Sequence, residues 1–194
     1  MLKLSRAIDR LSNAIGRLTW WLVLVVSLIS AGNAVVRKAF GVSSNAMLET
    51  QWYLFAAVFM LGAGYAFLNN AHVRIDVLAS RWGARTRHWV DIIGILLFLL
   101  PLCWLMVQEG WPLFQRAWVS GEMSTNAGGL IRWPVYALIP LGFALLALQA
   151  FSELIKRAHF LWWGGPDLLT TEAAQHDDGM ALEHPSAEAA GGQR

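Results

Sequence analysis

The residues with the most chemical potential sit close together in "NNAHVRIDVLASRWGARTRHW", Asn69 to Trp89. His72, Arg74, Asp76, Arg81, Arg85, Arg87 and His88 fall within this stretch of an otherwise apolar chain. Histidine beside a carboxylate is the material of general acid–base catalysis, and clustered arginines suit phosphate groups. The same residues also fit a solvated connection between two membrane spans. A second polar group, Glu122, Ser124, Thr125 and Asn126, lies in "SGEMSTNAGGLIRWP". Two isolated carboxylates, Glu49 and Glu109, border apolar runs.

Composition decides what must hold these residues. Of 194 residues 56% are hydrophobic and 14% charged, eleven are Trp, and the mean hydropathy is +0.45. A soluble domain carries roughly 25% charged residues. Four runs approach the ~20 apolar residues needed to cross a bilayer: Leu18 to Val36, Leu48 to Leu68, Val90 to Val107 and Pro134 to Ile155. None alternates with a period of two, which excludes the strands of a membrane barrel. The expected fold is an all-α membrane protein of four transmembrane helices with interfacial amphipathic helices. A net charge of +2 gives no footing for nucleic-acid binding.

Basic residues orient the spans. Lys3, Arg6, Arg10, Arg17, Arg74, Arg81, Arg85, Arg87, Lys156 and Arg157 fall on one side, against Arg37, Lys38, Arg116 and Arg132 on the other. This ten-to-four bias predicts cytoplasmic N and C termini, with residues 37–47 and 108–133 outside. A cleaved signal peptide is the competing reading of the N-terminus. Against it, Leu4, Ile8, Leu11, Ile15 and Leu18 recur at steps of three and four, which predicts residues 1–17 as an amphipathic arm on the cytoplasmic surface. Ile75, Leu78, Ala79 and Trp82 make a similar pattern, so a short surface helix ended by Gly83 is expected between spans two and three. Residues 18–163 form the membrane domain. Residues 164–194, with six acidic residues, one Arg and no periodicity, read as a disordered cytoplasmic tail.

Catalytic and metal chemistry find little support. The chain has no G-x-S-x-G, H-E-x-x-H or Walker-type motif. Its five histidines lie outside the apolar cores without paired spacing, so neither a metal site nor a cofactor is expected. Cys103, the single cysteine, sits in an apolar run and reads as a buried hydrophobe. Gly62 and Ala66 form a small-xxx-small pair suited to helix packing. A buried Glu49 would need a partner, and none of the spans supplies one.

"NNAHVRIDVL", "SGEMSTNAGGLIRWP" and "FSELIKR", in this order around four spans, resemble the small membrane subunit of tripartite ATP-independent periplasmic (TRAP) transporters, the DctQ-like family. The likeness runs roughly from Leu18 to Arg157. It implies a non-enzymatic scaffold in the bacterial inner membrane for a large permease subunit, in sodium-driven uptake of an organic acid captured by a periplasmic solute receptor. Under that reading Glu49, His72, Arg74 and Asp76 are candidates for the subunit interface, with Arg74 and Asp76 a fixed ion pair. Glu122, Thr125 and Asn126 are candidates for receptor docking. The rival classes are a self-sufficient small ion-coupled transporter and the membrane anchor of a redox complex.

Overall fold

Where water is absent, a backbone must satisfy its own hydrogen bonds, and helices do so within one segment. The computed structural model describes residues 2–41, 44–69 and 83–163. Its helices are α1 (Leu2–Phe40), α2 (Asn45–Leu68), α3 (Ala84–Gly94), a π-helical turn (Ile95–Leu99), α4 (Leu100–Ser120) and α5 (Trp133–Trp163). Helix α3, the π turn and α4 form one continuous rod, so four helices are long and apolar enough to span a membrane. Among the described residues the only β-type pairing is an isolated Met123–Ile131 bridge.

All four spanning helices exceed their expected spans. Helix α1 shows no break between the arm and the first span; its 39 residues reach roughly 58 Å, against a hydrocarbon core of ~30 Å. Along the arm, Leu4, Leu11 and Leu18 face outward while Ser5, Ile8, Asp9 and Ser12 are buried. The third span continues past Val107 to Ser120, so the connection that follows it shrinks to Gly121–Arg132. Gly121 ends α4 with φ of 63°, a left-handed conformation that costs glycine little. Gly83, expected to close the surface helix, is the residue from which α3 starts. That surface helix, with His72, Arg74 and Asp76, and the tail from Gly164 lie outside the described residues.

Proline explains the π turn. Pro101 has no N–H to return to the carbonyl of Leu97, and its ring would crowd that carbonyl in a regular helix. The turn just before it is wider, with the Leu100 N–H reaching back five residues to the Ile95 carbonyl.

Helix α5 is the hub. It packs against α1, α2 and α4, whereas α4 makes no substantial contact with α1 or α2. Helix α2 crosses α5 at Gly142, where an added Cβ would lie 2.8 Å from both the Cβ and the carbonyl oxygen of Met60. Only glycine lets the two backbones approach so closely. On α2 the buried glycine is Gly64, set against the Leu145 backbone, while Gly62 faces Thr19 more loosely.

Candidate functional site

The connection Gly121–Arg132 is a folded object tied to α2. Ser124 N–H donates to the Leu130 carbonyl (2.9 Å), Arg132 N–H to the Glu122 carbonyl (2.9 Å) and Gly129 N–H to the Asn126 carbonyl (3.0 Å). These bonds and the Met123–Ile131 bridge close the segment into a narrow turn. Glu49, one turn into α2 and only 5% exposed, receives it. Its Oε2 accepts the Leu130 N–H at 2.7 Å, and its Oε1 accepts Asn126 Nδ2 at 2.8 Å and the Ser124 hydroxyl. Asn45 Nδ2 donates to the Ala127 carbonyl (2.9 Å) and the Tyr53 hydroxyl to the Ile131 carbonyl (3.2 Å).

The partner that Glu49 needs therefore comes from the loop, not from a span. Of the docking candidates, Asn126 points its amide at Glu49 and Glu122 pairs with Arg132 Nη1 at 3.2 Å. Thr125 is exposed. Arg132 also donates to the Tyr136 hydroxyl at 3.3 Å, which ties the loop's last residue to the first turn of α5.

At the opposite end of the bundle lies a polar cluster that sequence reasoning missed. Lys156 and Arg157, expected as topology determinants, are 4% and 1% exposed. Lys156 Nζ is 2.9 Å from Asp9 Oδ2 and 3.3 Å from Glu153 Oε1. Arg157 reaches Glu153 Oε2 at 2.6 Å and Asp91 Oδ2 at 3.3 Å. Asp9 Oδ1 accepts Gln149 Nε2 (3.0 Å) and the Ser152 hydroxyl (2.9 Å). Ser12 donates to Gln149 Oε1 at 2.7 Å, and the Ser5 and Ser152 hydroxyls are 2.7 Å apart. His88, on α3, is buried with its ring 4.4 Å from that of Phe160.

The cluster joins α1, α3 and α5 through charges whose opposite numbers are in place, the condition under which buried ions are tolerated. A signal for it existed. Gln149, Ser152, Glu153, Lys156 and Arg157 follow i, i+3, i+4, i+7 and i+8, and Ser5, Asp9 and Ser12 follow i, i+4 and i+7, one polar face on each helix. In each site a serine hydroxyl donates to a carboxylate, Ser124 to Glu49 and Ser152 to Asp9. Among the described residues no three His, Cys, Asp or Glu side chains gather as metal ligands.

The described residues thus form an all-helical protein with four helices long and apolar enough to span a membrane. The chain belongs to the DctQ component family of the tripartite ATP-independent periplasmic transporters, whose family model matches residues 26–160. It is thus the small permease component of a TRAP transporter, a multi-pass inner-membrane protein. Comparison with curated proteins gives no match. The matched segment holds Glu49, the whole Gly121–Arg132 loop and the α5 half of the polar cluster; Ser5, Asp9 and Ser12 lie upstream of it.

Proposed function

We propose that this chain is a rigid scaffold for the large permease subunit in sodium-driven, receptor-dependent uptake of an organic acid or related solute, with both termini cytoplasmic. The observation carrying this reading is that both polar sites are closed on themselves. Glu49 is saturated by its own loop, and Asp9, Glu153, Lys156 and Arg157 by one another. A moving, ion-coupled element needs polar groups that exchange partners, whereas a support needs them fixed. Arg74, Asp76 and His72, on the connection between α2 and α3, remain the proposed cytoplasmic contacts with the large subunit. Glu49 acts indirectly, by holding the outer loop in the shape offered to the receptor.

The test is uptake by proteoliposomes containing the large subunit and saturating receptor, with and without this chain, in an inward sodium gradient. Uptake should require the chain and collapse without the gradient. Full uptake by the large subunit alone would remove the scaffold role, and gradient-independent uptake would remove the sodium coupling.

A further inference from the structure

One face of α4 carries polar groups where a bilayer offers them nothing. Gln108, Glu109, Gln115 and Arg116 are all exposed, on the side away from α5, whereas Cys103, Gly110 and Ala117 are buried on the side facing it. Sequence alone puts Glu109 at the outer edge of the third span. The structure sets it deeper. Helix α4 runs on to Ser120, roughly 16 Å past Glu109 at about 1.5 Å per residue. The neighbouring Gly110 packs against Ile139 and Pro140, with an added Cβ only 3.0 Å from Ile139 Cγ2. Within one turn on α5, Gly142 meets Met60, the midpoint of the apolar run Trp52 to Leu68. Gln108 and Glu109 are therefore level with the middle of α2.

The face is also rich in acceptors. Pro112 has no N–H to return to the Gln108 carbonyl, so a backbone acceptor joins the Gln108 amide and the Glu109 carboxylate at one depth. Acyl chains contain no hydrogen-bond donors, and ionisable residues within spans are costly unless another protein group or water meets them. Glu109 does not point between this chain's own helices, so it is not placed as a coupling residue in an internal cavity.

We infer that the Gln108–Glu109 face of α4 is the surface on which a membrane helix of the large permease subunit docks, presenting a cation or hydroxyl donor to Glu109 and the Gln108 carbonyl. This deepens the scaffold reading and rests on it. The alternative occupants, lipid and a second copy of this chain, give different products in the test.

The full chain is co-expressed with the large subunit, with benzoyl-phenylalanine replacing Gln108, Gln115, or the equally outward Leu28 of α1 and Phe59 of α2. Irradiation of membranes should give an adduct with the large subunit from Gln108 and Gln115 and little from the other two. Glu109→Leu should lower recovery of the large subunit about ten-fold, the scale of losing one strong contact, while Glu109→Gln, which keeps an acceptor, should retain most of it. Adducts from Leu28 or Phe59 alone, adducts with a second copy, or an intact complex without adducts at Gln108 and Gln115 would each overturn the assignment. If the native chain recovers no large subunit at all, the scaffold reading itself falls and this inference with it.

Discussion

Glu49 shows what a single side chain contributes here. Hydrogen bonds to a charged group contribute about 1.5–3 kcal/mol each, and Glu49 takes three from Ser124, Asn126 and Leu130. Glu49→Ala should release the Gly121–Arg132 loop. The expected readout is faster maleimide labelling of Thr125→Cys in a Cys103→Ser background, and an unchanged rate would mean that the loop holds its shape without the carboxylate. Glu122→Ala with Thr125→Ala should weaken apparent receptor affinity in proteoliposomes while leaving the saturated rate unchanged, because rim contacts tune encounter and register more than raw affinity. Asn126→Ala should instead behave like Glu49→Ala. The need of Glu49 for a partner was legible in the sequence, but the partner was not. Its donors lie 75 to 81 residues downstream, and one of them is a backbone N–H, which leaves no mark in a residue pattern.

Among the helices, four spans and their order follow from the apolar runs, while the partner of the polar face of α1 and the length of α4 do not. The apolar stripe Leu4, Ile8, Leu11, Ile15 and Leu18 reads as the side that sinks into lipid. Next to lipid, apolar side chains lose nothing by facing out, so Leu4, Leu11 and Leu18 do so and the polar stripe turns inward to meet α5. The apolar run ends at Val107, short of the helix end at Ser120, because Gln108, Glu109, Gln115 and Arg116 dilute the hydropathy of α4 without breaking its helix. Removing one side of a buried charge pair costs about 3–5 kcal/mol. Asp9→Leu and Lys156→Met should each lower the melting temperature of the detergent-purified chain sharply. The double variant should lose less than the sum, since each change strands the other's partner; strict additivity would mean that the 2.9 Å contact contributes nothing. Gly142→Leu should likewise separate α2 from α5, detected as lost stability with no change in charge.

At the scale of the molecule, orientation is the property most directly read from the basic bias. An impermeant thiol reagent on whole cells should label Thr125→Cys and spare Ser80→Cys, both in the Cys103→Ser background. The reverse pattern would turn the protein over in the membrane. The hub arrangement around α5 was not legible, because the glycine contacts and polar faces that build it pair residues from distant parts of the chain. That arrangement also has a consequence for biosynthesis. Asp9 is made before Lys156, Gln149 and Ser152, which receive it and follow some 140 residues later. Until then the polar face of α1 has only water or headgroups to meet, so α1, made before α5, is seated only once α5 is in place. A chain stopped before Gln149 leaves the Asp9 carboxylate without the amide, hydroxyl and ammonium groups that meet it in the finished fold.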